Sequence, residues 1–116
     1  FKTGAARMAI EAQVPIVPMI VWGAHRIWPK DHPKRLLRNK IPIAVAIGPP
    51  LWPQGTAEEF NAVLRQAMES MLYWVQEQYP HPKGEYWVPR RLGDSAPTPD
   101  ESREFRIAEL AERAQK

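Results

Sequence analysis

The chain has 116 residues, which suffices for one domain at most. It contains no cysteine, so disulfides and thiolate metal sites are excluded, and a reducing compartment is allowed. The net charge of +3 is uneven, because segment 26–40 carries six basic residues against one aspartate, a balance of +5 that leaves −2 for the rest. The longest apolar run, 14–22, is interrupted by prolines and is far shorter than the ~20 residues of a membrane-spanning helix.

The first predicted element is a short helix that begins at Thr3 and ends near Pro15. The Thr3 hydroxyl is expected to accept a hydrogen bond from a free amide of the first turn. Ala5, Ala9 and Ala12 recur at helical spacing, which predicts a flat face that lies close against a sheet. The helix ends because Pro15 forces the preceding residue out of the α region.

Two strands are predicted, at 15–21 and at 41–47. Residues 16–21 are almost all apolar without polar alternation, which is typical of a strand covered on both faces. Pro42 cannot donate to a sheet ladder and therefore belongs at the start or edge of the second strand. Because a two-stranded sheet is marginal alone, neighbouring strands are expected from sequence upstream of Phe1 or from another chain. The chain is accordingly interpreted as a piece of a longer protein.

The basic segment 26–40 connects the two strands, and three interpretations of it stay open. It is a solvated loop, or it contacts an anionic membrane surface, where each Lys or Arg contributes about 1 kcal/mol and tryptophans anchor at the interface. Nucleic acid is the least favoured partner, because no recognition helix or stacking platform accompanies the charge. The residues assigned to a membrane surface are Trp28, Lys30, Lys34, Arg35, Arg38 and Lys40.

A long amphipathic helix is predicted over 57–78. Thr56 and Glu59 form the T-x-x-E pattern of a capping box at its start. Its apolar residues recur at intervals of three and four. They include Met68 and Met71, which are interpreted as ordinary core residues or, alternatively, as the lining of an acyl pocket, because Met adapts to irregular apolar shapes.

The chain is divided at residue 80. Residues 1–80 are assigned to the α/β domain, and 81–116 to a Pro- and Gly-rich extension with a terminal helix. Thr98 and Glu101 form a second capping box, with Pro at the first helical position. The terminal helix also carries favourable pairs four residues apart, Glu109–Arg113 and Glu112–Lys116.

Two motifs stand at a fixed spacing near the start of the chain. Residues 1–5 read F-K-T-G-A and match F-K-x-G-A, and residues 14–18 read V-P-I-V-P and match V-P-[IV]-[IV]-P. With an Ala-rich helix between them, these motifs resemble the 1-acylglycerol-3-phosphate acyltransferase family over about the first thirty residues. Family members commonly carry Gly where this chain has Gln13, and a left-handed Gln costs on the order of 1 kcal/mol more than Gly. The resemblance implies the C-terminal part of a glycerolipid acyltransferase α/β domain, a sheet flanked by helices, plus a C-terminal tail helix.

The resemblance also implies a reaction. A fatty acyl group would pass from acyl-CoA or acyl carrier protein to the free hydroxyl of a lysophospholipid such as 1-acylglycerol-3-phosphate, giving phosphatidic acid. In the family, the His of an H-x-x-x-x-D motif acts as general base. None of His25, His32 and His81 has Asp five positions on, so that motif is expected upstream of this chain and no catalytic residue is assigned within it.

The expected partners follow from this reaction. They are the acyl donor, the lysophospholipid acceptor, the upstream half of the same domain and an anionic membrane surface on the cytoplasmic side. No cofactor, metal ion or nucleic acid is expected. The alternative interpretation is a non-catalytic peripheral-membrane or lipid-binding module with a basic surface loop, and an upstream H-x-x-x-x-D motif would separate the two.

Three places in the chain are candidates for contact with substrate. Lys2 stands before a helix N-terminus, where it either helps to hold a phosphate or is a surface lysine. The 14–18 block either lines the acceptor or acyl site or is a core strand with a Pro-shaped entry. The residues that follow the first strand reach substrate if that strand is parallel to its neighbours. The assigned substrate-binding residues are Lys2, Val14, Pro15, Pro18, His25 and Arg26.

Overall fold

The computed structural model describes residues 2–30, 32–36, 40–93 and 95–115. The chain divides into two units, Phe1–Tyr79 and Pro80–Lys116. Within the described ranges, helices and one small sheet are mixed, in keeping with the coarse α/β class that was predicted. The elements of the first unit are α1 (Gly4–Ala12), β1 (Met19–Trp22), β2 (Ala44–Ile47) and α2 (Ala57–Gln78), with a short 3-10 helix at Ala24–Arg26; the second unit contains a 3-10 helix at Arg90–Leu92 and α3 (Pro99–Ala114).

Helix α1 begins where it was predicted to begin, but not for the predicted reason. Thr3 precedes it with φ −78° and ψ 2°, and within the described chain its hydroxyl makes no capping hydrogen bond. The predicted cap is wrong because a capping hydroxyl reaches the first-turn amides from an extended backbone, which Thr3 does not adopt. The Thr3 carbonyl instead accepts from the Arg7 amide at 3.0 Å.

The buried face of α1 also differs from the prediction. Ala6 and Ala9 are buried, whereas Ala5 and Ala12 are exposed. The buried pair packs on Phe60 of α2 rather than on the sheet. The spacing identified a small-residue helix correctly, but the neighbouring helix decides which alanines face inward. Around this core lie the half-buried side chains of Ile10, Ile16 and Leu51.

Gln13 meets the condition under which a cost relative to Gly was expected. Gln13 adopts φ 53° and ψ 44°, the left-handed conformation. Its amide donates to the Ile10 carbonyl at 3.3 Å, and the Val14 amide donates to the Ala9 carbonyl at 3.1 Å. The second bond spans six residues, as in a Schellman motif, so the chain turns sharply here at the cost of a strained non-glycine residue.

Both strands are shorter than predicted. β1 and β2 pair antiparallel, with Met19 opposite Ile47 and Trp22 opposite Ala44. The prolines before each strand lack the amide that a longer ladder needs, so the pairing continues only locally. Ile16 and Leu51 exchange two backbone hydrogen bonds of 2.8 Å in an isolated bridge.

Within the described chain the sheet is covered on one face only, and the prediction that neighbours outside this chain cover the first strand on its other face stays a prediction. α2 packs against both strands, and the sheet face that carries Ile20, Trp22, Ala44 and Ala46 is half-buried. The opposite face presents two cross-strand apolar pairs whose side chains are 51–69% exposed. We call this surface the open sheet face; its residues are Met19, Val21, Val45 and Ile47.

Helix α2 is the prediction that the structure confirms most closely. It runs over the predicted residues and begins with the predicted capping box. The Glu59 amide donates to the Thr56 hydroxyl at 3.2 Å, and the Thr56 amide donates to the Glu59 carboxylate at 2.9 Å. Phe60 and Leu64 lie on its buried face. The apolar stripe thus fixes how α2 lies against α1 and the sheet.

The second unit contains the other predicted capping box. The Glu101 amide donates to the Thr98 hydroxyl at 3.3 Å, and the Thr98 amide donates to the Glu101 carboxylate at 2.9 Å. Glu101 also pairs with Arg90 at 3.0 Å. The predicted Glu109–Arg113 pair is present at 2.8 Å, whereas the pair with Lys116 lies outside the described residues.

Candidate functional site

An apolar groove lies where α1, the segment before β1 and α2 meet. The segment 16–19, which runs from the Ile16–Leu51 bridge to the start of β1, lines one part of it. Lys2 and Ala5 border one side, and α2 forms the other. We call this the Lys2 groove; it has a volume of about 310 Å³ and is lined by Lys2, Ala5, Ile16, Val17, Pro18, Met19, Leu64 and Met68.

A second groove continues along the same helix. It has a volume of about 320 Å³ and shares Met68 with the Lys2 groove, while its Ile20 follows Met19 in β1. We call it the Leu72 groove; it is lined by Ile20, Arg65, Met68, Glu69 and Leu72. Arg65 and Glu69 pair at 3.0 Å, so the charges at this end neutralise each other. The two grooves therefore offer an extended apolar path between α2 and β1.

The charge of the Lys2 groove is concentrated at one end. Among its described lining residues, Lys2 is the one charged side chain. Lys2 lies next to the start of α1, whose first turn contains no acidic residue. The first amides of a helix and the positive end of its dipole favour an anion. The arrangement suits an amphiphile with an apolar tail and an anionic end near Lys2.

The structure brings some of the predicted substrate residues together and separates others. Lys2 and Pro18 both line the Lys2 groove, and Pro18 is buried there. Val14 is 48% exposed and Pro15 is half-buried, and both lie outside the described linings of the two grooves. The structure thus assigns the downstream half of the 14–18 block, with Lys2, to the groove.

His25 and Arg26 lie beyond the far end of β1, about 10 Å further along the strand than Met19. Their expected contact with substrate required a parallel neighbour, and the described partner of β1 is antiparallel. The Arg26 guanidinium donates to the Tyr79 hydroxyl at 2.8 Å. The His25 ring lies 4.6 Å from the Trp22 ring. A substrate role for His25 and Arg26 stays a prediction.

The predicted membrane residues lie in the connection between β1 and β2. We call its described part, residues 27–30 and 32–36 with Lys40, the basic loop. Trp28 is 61% exposed, and the Nζ atom of Lys34 lies 3.6 Å from the centre of its ring. Lys30, Arg35 and Lys40 are exposed, whereas Arg38 lies outside the described residues.

Sequence reasoning missed the part of the site that comes from α2. Met68 was considered as an acyl-pocket residue or a core residue, but Leu64, one turn before it, was not considered as part of a site. Both line the Lys2 groove, and Leu64 is otherwise buried. Their four-residue spacing shows that they share a helix face, but only the packed structure shows that this face meets Lys2 and Pro18.

Two further observations limit the chemistry. No helix in the described ranges is both long and apolar enough to span a bilayer. Among the same residues, no three His, Asp or Glu side chains gather as a metal site. The described chain is thus a mixed α/β unit with an apolar groove that has a single lysine at its edge.

No protein-family model, curated protein or solved structure matches the chain.

Proposed function

We propose that this chain is part of a glycerolipid acyltransferase. The enzyme transfers a fatty acyl group from acyl-CoA or acyl carrier protein to the free hydroxyl of a lysophospholipid such as 1-acylglycerol-3-phosphate, giving phosphatidic acid. The observation that carries the proposal is the Lys2 groove, in which both motifs of the family resemblance meet. Lys2 comes from the first motif and Pro18 from the second.

The groove has the chemistry that a lysophospholipid requires. Its volume is within the ~300–1,000 Å³ range of small-molecule sites, and its lining is apolar apart from Lys2. Each methylene removed from water contributes about 0.8 kcal/mol, so an acyl chain gains most of its affinity from such a lining. The exposed Lys2 ammonium then orients the phosphate rather than supplying most of the affinity.

The reaction itself needs a base that this chain does not supply. The acceptor hydroxyl attacks the thioester carbonyl carbon, so that a C–O bond forms and the C–S bond breaks. The hydroxyl proton passes through the base to the departing thiolate. By the family resemblance this base is the His of an H-x-x-x-x-D motif, in the half of the domain that precedes Phe1. The proposed role of the present residues is to hold the acceptor in a productive position.

The open sheet face supports a partner layer of the same domain. Antiparallel sheets with one solvated face usually carry polar residues there, whereas this face carries Met19, Val21, Val45 and Ile47. We assign the covering layer to the upstream half of the domain. We place the parent protein at the cytoplasmic face of a membrane, because its substrates are lipids and its excess positive charge is concentrated in one loop.

The test is an assay of the parent protein with lysophosphatidate and acyl-CoA. Replacing the upstream His is expected to abolish the formation of phosphatidic acid, and equal activity in both proteins would refute the proposal. The Lys2→Ala variant is expected to raise the KM for lysophosphatidate about five-fold with little change in kcat, because it removes an exposed charge contact of about 1 kcal/mol.

The matched control is Arg7→Ala, one turn along α1 and outside the groove lining. The Arg7 guanidinium lies 3.9 Å from Glu58, and both side chains are exposed, so its loss costs little. The KM of this variant should stay at the wild-type value. If both variants raise the KM equally, the effect is general electrostatics and Lys2 has no positioning role.

A second candidate function is a lipid-binding module without catalysis. It is favoured by the composition of the Lys2 groove, whose described lining contains no acid–base side chain apart from Lys2. This module predicts that the parent protein binds lysophosphatidate with the same dependence on Lys2 but forms no product. It also predicts that no H-x-x-x-x-D motif precedes Phe1.

A further inference from the structure

A backbone hydrogen bond joins two described parts of the basic loop. The Arg35 amide donates to the Ile27 carbonyl at 2.8 Å, which brings the two arms of the loop together. Trp28 and Lys34 therefore lie opposite each other, with the ammonium 3.6 Å from the ring centre. These two contacts hold Ile27 and Trp28 against Lys34 and Arg35.

The base of the loop is held as well. The buried Tyr79 hydroxyl accepts from Arg26 at 2.8 Å and donates to the Pro42 carbonyl at 2.5 Å. It thus joins the chain just before the loop to the chain just after it. Gly23 lets the backbone approach, since a Cβ there would lie 2.7 Å from the Tyr79 hydroxyl and 2.5 Å from the Pro42 carbonyl. We call these contacts the Tyr79 clamp.

The loop presents apolar and basic groups side by side. Trp28 and Leu36 are 61% and 60% exposed. Exposed cations lie near them in the sequence, and the segment as a whole carries a balance of +5 in a chain of net charge +3. Each of these side chains thus leaves more than half of its surface exposed, and Trp beside Lys and Arg is typical of a membrane interface. The described cations are Lys30, Lys34, Arg35 and Lys40.

We infer that the basic loop docks on the surface of an anionic phospholipid bilayer. Trp28 and Leu36 enter the interfacial region, and the cations contact lipid phosphates. Nucleic acid fits less well, because one face of Trp28 is already covered by Lys34 and the aliphatic Leu36 offers no stacking surface. This inference deepens the membrane placement in the proposed function, which rests on the same loop, but it concerns a surface beyond the far end of β1 from the Lys2 groove, and its failure would leave the proposed acyl transfer untouched.

The test measures flotation of the full chain with vesicles of phosphatidylglycerol and phosphatidylcholine, without an acyl donor. Binding is expected to anionic vesicles, to be absent with pure phosphatidylcholine, and to weaken as salt rises. The Lys34→Gln/Arg35→Gln variant is expected to lose about five-fold affinity for each charge removed. The Trp28→Ala/Leu36→Ala variant is expected to lose at least about ten-fold.

Matched controls separate the loop from the rest of the surface. Trp52, 62% exposed, and Lys83, also exposed, lie outside the loop, so Trp52→Ala and Lys83→Gln should bind as the wild type does. Circular dichroism confirms that each variant is folded. If a loop variant does not fold, the dependence of wild-type binding on lipid charge and on salt still tests the inference.

Three outcomes would overturn the inference. The first is equal binding to neutral and anionic vesicles. The second is the same loss of affinity in loop and control variants. The third is tighter binding to a single-stranded RNA than to anionic vesicles, with both abolished by the loop variants, because the loop would then be a nucleic-acid surface.

Discussion

Substitutions at Gln13 test what the left-handed residue at the end of α1 costs the folded protein. Gln13 is the one non-glycine residue with positive φ in the described chain, and it closes α1 in a Schellman motif. A side chain in the left-handed region costs about 1–2 kcal/mol, whereas glycine occupies it freely. Glycine loses about 0.5–1 kcal/mol more backbone entropy on folding, so Gln13→Gly should stabilise the protein by about 0.5–1 kcal/mol.

The measurement is urea unfolding followed by circular dichroism. The m-values of the variant and the wild type are compared, because a change in m would indicate a change in the denatured state. A gain of this size corresponds to a rise of about 2–8 °C in Tm for a unit of this length. The Gln13→Ala variant is the control, because it keeps the strained Cβ and removes only the exposed amide. It should change the free energy of unfolding by less than about 0.5 kcal/mol. If Gln13→Gly is no more stable than Gln13→Ala, left-handed strain at this position is not a cost to the fold.

Three further predictions test other contacts. Tyr79→Phe removes both hydrogen bonds of the Tyr79 clamp from a buried position and should lower the free energy of unfolding by about 1–3 kcal/mol in urea titrations. Gly48→Ala places a methyl group 2.8 Å from the Met71 sulfur and 2.9 Å from the Pro18 ring; Met71 can move aside but the buried proline cannot do so freely, so overpacking should cost about 1 kcal/mol by the same assay. The hydrogen bond from the Thr98 amide lowers the pKa of Glu101 from its ordinary 4.5, so the ionised carboxylate stabilises the folded state above that pH. The helicity of the wild type should therefore fall as the pH drops from 4.5 through the pKa that Glu101 has in the folded state. The Glu101→Gln variant should lose less helicity over this pH range, and a loss equal to that of the wild type would contradict the prediction.

The features that were predictable from the sequence are those that a few neighbouring residues decide. Each capping box needs only a Thr and a Glu three positions on, as at Thr56 and at Thr98. The strain at Gln13 was also local, because the residue stands between a helix and a proline. Thr3 shows the limit of such reasoning, since the same residue type fails to cap when its ψ is 2° instead of extended.

The features that were not predictable depend on residues far apart in the sequence. The buried face of α1 is set by Phe60, more than fifty residues later, so alanine spacing alone chose the wrong face. The Lys2 groove likewise exists only because Leu64 and Met68 meet the segment after α1. Strand length was overestimated because the apolar runs extend past the prolines, and the runs alone do not show how far the ladder continues beside a residue without a donor.

The open sheet face connects the stability of this unit with its proposed chemistry. Fully burying a Val, Ile or Met side chain contributes about 1.5–3 kcal/mol, so covering four half-exposed ones would contribute on the order of 4 kcal/mol. That is comparable to the whole stability of a small domain, about 5–15 kcal/mol. Met19 lines the Lys2 groove and also belongs to this face, so a layer that covers the sheet reaches the rim of the groove. In the proposed enzyme, we expect the layer that stabilises the strands to be the one that also carries the general base toward the acceptor.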